Sequence, residues 1–430
     1  MATSRKCFRQ RMNQTHAVTF IWAMSILAAG TLCENFAIAD DWPRWRGPHL
    51  NGISQEKGWR DSWPKSGPPI LWKRNVGIGY SSVAVSDGRV FTMGHSSQQD
   101  SVFCFEAATG KPLWKHSYPA DLGDLYYEGG TTGTPTVDNQ YVFTLSRWGD
   151  LFCFSAATGD IRWSKNIAKE TKQTIPTWGF SGSPLVQGEL LLLNIGRAGT
   201  AVEKSTGKLV WTSDVDEAGY STPFPFQYNG KSLIVTSHGK GYSAVEVKTG
   251  KELWDIRWLT RYGVNAADPL LLGDELFIST GYSKGASLWK LGAATPQELW
   301  RNKKMRTQFN PCVYLEGHLY GVDGDTAELA RLKCIEWKTG EVAWTEEGIG
   351  SGALTMADGK LIVLSDQGEL LIAPARPTEF RPTGSAKVVE GKCWTVPVLA
   401  NGQIYCRGAL GELVCVDVRG KGNKGKLNGE

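Results

Sequence analysis

Gly281-Tyr282-Ser283-Lys284-Gly285 matches the G-x-S-x-G pattern in which a strained turn presents a nucleophilic serine. Acyl transfer from such a serine requires a strand-to-helix elbow with His and Asp partners. This motif lies between two strand-like runs instead, so it reads as a hairpin turn. Asp268 is the clearest acidic residue in the loops that lead into the repeat strands, where a carboxylate could act as a base. It precedes Pro269, however, and a side chain capping its own turn is the simpler reading. Asp323-Gly324-Asp325-x-x-Glu328 could offer oxygen ligands to Ca²⁺ but lacks a full EF-hand set, and reads as a solvated turn. The six His residues show no metal-ligand spacing, and no phosphate-cradling glycine pattern is present. The expectation is no catalytic residue and no metal site.

Binding chemistry is better represented. Tyr80, Trp178, Phe180, Tyr220, Arg261, Tyr262, Asn265, Arg306, Gln308, Asn310 and Trp394 all fall in loops preceding one recurrent strand, and Arg147-Trp148 lie on a nearby hairpin. Aromatic and Arg side chains gathered in concave loops are what ligand and partner sites use.

The elements that must position them repeat. Thr-Gly-x-x-x-Trp ends at Trp114, Trp163, Trp211, Trp254 and Trp344; Trp300 follows Thr295-Pro296, and Trp72 follows Pro68-Pro69. Successive Trp spacings are 42, 49, 48, 43, 46 and 44. A second marker, Ser/Thr-Pro or its likeness, recurs eight times: at Ser82, Thr134, Ser183, Thr222, Asp268, Asn310, Gly352 and Val396. Between the markers fit four short strands, with no room for a crossover helix. Some, such as Leu190–Leu193, are apolar on both faces, as strands packed between neighbouring sheets must be. The last unit (395–418) has three strands and no Trp strand, whereas residues 69–76 form a Trp strand with no unit before it. Pairing them closes a ring and hides both edges. The expected fold is therefore all-β: an eight-bladed β-propeller of four-stranded antiparallel blades. The seven repeat Trp are read as structural, each packing against the adjacent blade. The seventh unit, near 379–391, lacks its Trp.

Arg5, Lys6, Arg9 and Arg11, the apolar stretch Ala17–Leu32, and Ala37-Ile38-Ala39 read as an export signal cleaved near Ala39. Residues 1–39 are thus a signal peptide, 40–69 an N-terminal extension, 70–418 the propeller and 419–430 a basic flexible tail. A periplasmic or secreted monomer is expected, with no transmembrane span after cleavage. Beyond Ala39 the chain has 43 basic and 42 acidic residues, which gives no electrostatic reason for a nucleic-acid partner. Cys104, Cys153 and Cys334 each lie six residues before a Thr-Gly glycine, where other units carry Ala201 and Ala244, so they read as small buried residues. Cys393 and Cys406 are the one pair near enough in sequence to bridge.

The eightfold repeat ending in Thr-Gly-Lys-x-x-Trp resembles the pyrroloquinoline-quinone (PQQ)-like propeller repeat, over residues 70–418. That family includes quinoprotein alcohol dehydrogenases and the scaffold subunit BamB of the outer-membrane β-barrel assembly machine. Trp42-Pro-Arg-Trp-Arg46-Gly-Pro48, Asn265-Ala-Ala-Asp268-Pro and Cys393-Trp394-Thr-Val-Pro397 resemble a bacterial exported subgroup. A dehydrogenase of this family would imply PQQ, a Ca²⁺ held by Glu and Asn, a catalytic Asp, an aromatic floor and, in larger members, a disulfide between adjacent cysteines. No Cys-Cys pair occurs here. A complete repeat without a catalytic constellation leads to the expectation of an exported non-catalytic scaffold that binds a protein or cell-envelope component through its funnel face, without cofactor. The alternatives are a PQQ- and Ca²⁺-dependent alcohol or sugar dehydrogenase, and a carbohydrate-binding propeller.

Overall fold

Each unit's four apolar runs form one antiparallel sheet, and the computed structural model contains eight such sheets. It describes residues 41–292, 295–325 and 330–420; the signal segment, Glu328 and the tail from Lys421 lie outside the described residues. The innermost strands run from Ala84–Ser86 in the first blade to Val398–Ala400 in the eighth. Strand Ile70–Asn75 pairs antiparallel with Glu412–Asp417, Trp72 opposite Cys415, so the two ends of the repeat share the last blade as expected. Among the described residues, helix is confined to one five-residue turn, Ile167–Thr171, and a short 3₁₀ turn at Arg261–Gly263.

The structure gives both sequence markers a physical cause. The indole N–H of Trp72 donates to Ala107 O of the next blade at 2.9 Å, and Trp114, Trp163, Trp211 and Trp300 repeat this with Ala156, Lys204, Val247 and Trp337. In each case the next blade's Thr-Gly glycine lies on that ring. A Cβ at Gly110, Gly159, Gly207 or Gly250 would fall within 3 Å of it. The glycine therefore serves twice, for its positive φ and for its missing side chain. Pro296 replaces it after Trp254, and among the described residues Trp254 alone of the seven makes no such bond. Trp344 donates instead to Arg376 O. Directly across the blade from the Trp lies the small-residue slot: Cys104 faces Trp114, Cys153 Trp163 and Ala201 Trp211. All seven cysteines described are free and buried; Cys393 and Cys406 share one cluster as thiols.

The Ser/Thr marker is a circumferential ladder. Ser82 N donates to Thr134 Oγ1 (3.1 Å), Thr134 N to Ser183 Oγ (3.0 Å), Ser183 N to Thr222 Oγ1 (3.0 Å) and Thr222 N to Asp268 Oδ1 (2.7 Å). The lead-ins of the first five blades are thus tied in series, each to the next by a short side-chain acceptor.

One blade departs from the expected four strands. Ile53–Ser54 adds a fifth, parallel to Ala353–Ala357 on the inner edge of the seventh blade. It gets there because residues 41–56 thread the central channel. Trp42 bridges Val85 of the first blade, Pro43 O accepts from Val137 N of the second, and Leu50 packs on Leu185 and Leu192 of the third. Arg46 Nη2 donates to Cys312 O at the sixth (3.0 Å), and Gly52 O accepts from Met356 N at the seventh (3.0 Å). This segment occupies inner strand edges that would otherwise face channel water. The following stretch replaces the seventh blade's missing Trp: Trp59 is buried between the seventh and eighth blades, and Trp63 donates to Ser385 O.

Candidate functional site

With its axis plugged, the funnel becomes a blind cup of about 690 Å³, inside the size range of small-ligand sites. Trp45 lies at its base, half-buried, because Trp42 and Arg46 on either side are fixed in the channel at 1 % and 3 % exposure. Its indole donates to Asp268 Oδ2 at 2.6 Å. Asp268 therefore caps the lead-in of the fourth blade and anchors the plug, rather than capping its own turn. Burial raises its carboxyl above the ordinary value, against the opposing pull of Arg46 and its two donors. Burial in turn lowers the Arg46 guanidinium to about 10.

Two aromatic arcs form the walls. One runs Tyr127–Tyr80–Trp394–Phe309, with centroid separations of 5.7, 5.3 and 4.9 Å. Phe309 precedes the sixth blade and Trp394 the eighth. They touch because the seventh blade's lead-in, Gly348-Ile-Gly350-Ser-Gly352, offers little side chain between them, and Asn310 Nδ2 donates to Trp394 O at 2.9 Å. The other arc runs Tyr220–Trp178–Tyr262–Tyr282, at 6.0, 6.4 and 5.6 Å. Tyr126 stands at the rim, 88 % exposed.

Of the residues singled out by sequence, Tyr80, Trp178, Tyr220, Tyr262, Gln308, Asn310 and Trp394 line the cup. The rest lie behind or beside it. Arg147 is buried, donating to Leu122 O, Gly130 O and Trp178 O beneath the ring of Tyr127. Trp148 donates to Asp121 O, and Phe180 is core between the second and third blades. Asn265 is buried against His238 O and Trp258 O. Arg261 stacks on Tyr262, and Arg306 forms a two-pronged pair with Asp323, which Lys333 also contacts. That pairing consumes the first carboxylate of the candidate Ca²⁺ loop. Among the described residues no group of three or more His, Cys, Asp or Glu is placed to hold a metal ion.

Sequence reasoning missed Trp45, Leu125, Tyr126, Tyr127, Glu217 and Phe309 as lining, and gave Tyr282 only a turn. Tyr282 and Ser283 do form that turn, both with positive φ, between strands Glu275–Thr280 and Gly285–Lys290. The lining contains the carboxylates Glu217 and Asp268 but neither Lys nor Arg.

Tyr80 is fixed by its hydroxyl, which donates to Glu128, and Lys392 Nζ lies 2.6 Å from the same carboxylate. Burial works to raise the Glu128 carboxyl, but Lys392 and Tyr80 outweigh it and hold it below the ordinary value. A carboxylate depressed in the fold contributes stability that is complete above its ordinary pKa and lost as pH falls through the folded value. The near-UV circular dichroism of the Tyr80–Trp394 stack is thus expected to persist down to the ordinary carboxylate range and drop below it. Glu128→Gln should remove that step; an unchanged acid step in the variant would detach Glu128 from the wall.

A family model described as outer membrane protein assembly factor BamB, of the PQQ-like repeat, matches residues 53–132 and 127–346. The chain belongs to this family. A curated relative, the outer membrane protein assembly factor BamB of Marinobacter adhaerens, is 22 % identical over 157 residues, a match spanning 34 % of this chain and 36 % of that one. The structure of BamB from Moraxella catarrhalis superposes with a TM-score of 0.60 at 14 % identity, covering 81 % of this chain and 99 % of the other. A quinohemoprotein alcohol dehydrogenase of Pseudomonas putida HK5 gives 0.63 at 14 % identity, covering 91 % and 81 %. At such identities the two structures share the fold of this family member. Among its described residues no helix is long and apolar enough to cross a membrane.

Proposed function

We propose that this family member is an exported, non-catalytic propeller that holds a cell-envelope component in its funnel cup. The observation that carries the reading is the lining: a closed base and two aromatic arcs, with neither a cationic side chain nor a metal-ligand cluster among the described residues. Export rests on residues 1–39 and on the envelope role in the BamB relatives' printed names. The dehydrogenase alternative fares worse on the same lining. PQQ is a tricarboxylate, and this cup would meet it with Glu217 and Asp268 and no Lys or Arg. These residues do not fit that cofactor.

Two measurements test the reading. Incubation with PQQ and Ca²⁺ followed by desalting should leave no quinone absorbance and no dye-linked alcohol oxidation; retained quinone with turnover would overturn it. A photo-crosslinker at Thr177, exposed on the cup wall, should capture an envelope component that the same probe at Lys251 on the outer rim does not. Equal capture, or none at Thr177, would also count against it.

A further inference from the structure

The geometry points to an uncharged oligosaccharide as the occupant of the cup, an inference that rests on the funnel-binding reading. Three features of the lining lead there. Its aromatic rings form extended walls, and in the Tyr220–Trp178–Tyr262 arc, where the rings meet tilted or edge-on rather than stacked, flat apolar surface is left that suits the C–H faces of sugar rings. Polar side chains stand among those rings: Thr132, Thr177, Ser181 and Asn310 line the cup and are not buried. Sugar hydroxyls donate and accept, and so can meet hydroxyl and amide side chains alike.

Charge narrows the class. A phosphorylated or uronic chain would bring anions to a lining whose own charged side chains are Glu217 and Asp268; Lys392, over the Trp394 ring, is already paired with Glu128, and Arg261 is stacked on Tyr262. A small organic cation would suit Glu217, but a cation cage needs ring faces converging on one point. Here Trp394 lies stacked between Tyr80 and Phe309, at interplanar angles of 23° and 22°, so its faces are taken up along the wall. The cavity is also larger than one ammonium group requires. A peptide could enter as well, and is separated by the experiment below.

Chitohexaose, cellohexaose and maltohexaose are the probes, with a galacturonate hexamer and a hexapeptide of mixed sequence as controls. Binding is read by calorimetry and by tryptophan fluorescence, since Trp45, Trp178 and Trp394 line the cup. At least one neutral hexamer should bind saturably, with the galacturonate hexamer and the peptide at least about tenfold weaker, about 1.4 kcal/mol. Trp178→Ala, at a half-buried wall position, should weaken it about tenfold or more. Three outcomes overturn the inference: no neutral hexamer binding, galacturonate or peptide binding as tightly, or affinity indifferent to Trp178→Ala. If the saccharides fail while the Thr177 crosslinker still captures an envelope protein, the saccharide assignment falls and the funnel reading stands. If both fail, both fall.

Discussion

Trp42→Ala is expected to cost the fold about 3–5 kcal/mol, the range for truncating a buried Trp, measured as a lowered midpoint in equilibrium unfolding by guanidinium. The size follows from where the ring sits. Trp42 is 1 % exposed and packs with Val83, Val85, Val398 and Tyr405, at the junction where the eighth blade meets the first. Its backbone also exchanges two hydrogen bonds with Val85, at 2.9 and 2.8 Å, which hold the plug on the first inner strand. Truncation leaves a cavity at the seam that closes the ring and loosens the segment that seals the channel. Trp63→Ala is the comparison, because Trp63 lies half-buried on the outer strand of the seventh blade. It should cost less than half as much. Equal losses would mean that the plug is no more important than an outer-belt contact.

The contrast between these two Trp shows what was legible in the sequence. The repeat Trp could be placed because one packing problem is solved repeatedly: a ring, a glycine lacking a Cβ, and a carbonyl at a fixed offset. The period reports the geometry. The Ser/Thr marker was legible for the same reason, although its meaning as an interblade ladder needed coordinates. Trp42, Trp45, Trp59 and Trp63 have no symmetric copies, so no spacing reveals their partners. Trp63 meets Ser385 across 322 residues of chain. The extension is one-of-a-kind sequence that fills what the repeat leaves open, namely the axis and the blade without a Trp.

The cup was half legible on the same logic. Tyr80, Tyr220 and Trp394 each lie two residues before their blade's marker, and Trp178 five before its own, so the repeat phase located them in the lead-ins. Tyr126 and Tyr127 come from a long connection between the first and second blades, and Trp45 from the plug, where phase says nothing. Arg147, Arg306 and Asn265 were the instructive misplacements. A polar side chain in a funnel loop is as readily consumed in holding the loop as in facing the ligand. Arg147 is spent on three backbone carbonyls, and Arg306 on Asp323. Tyr80 and Trp178 are also tied by their polar edges, to Glu128 and Leu125 O, yet a ring so held still presents its apolar surface to the cavity.

Asp268→Ala should prove comparably damaging, at about 3–5 kcal/mol, and its cost should exceed that of losing either partner's bond alone. The carboxylate joins three things that do not otherwise meet: Thr222 N on the interblade ladder, the Trp45 indole at the cup's base, and the field at Arg46. Removal leaves two donors unpaired in a buried place. It also leaves a guanidinium with a pKa near 10, still charged at neutral pH, without its facing acid; its Nε and Nη1 already lack partners. Asp268→Asn restores one acceptor but turns an N–H toward either Thr222 or Trp45, so it should fall between alanine and wild type. Trp45→Phe deletes only the indole donor and should cost about 1–2 kcal/mol. The four proteins are compared by equilibrium unfolding, and the expected order is wild type, Trp45→Phe, Asp268→Asn, Asp268→Ala. Were Asp268→Ala no worse than Trp45→Phe, the carboxylate would serve the indole alone, and the plug would be held in the channel by its own backbone bonds rather than through the ladder that joins the blades.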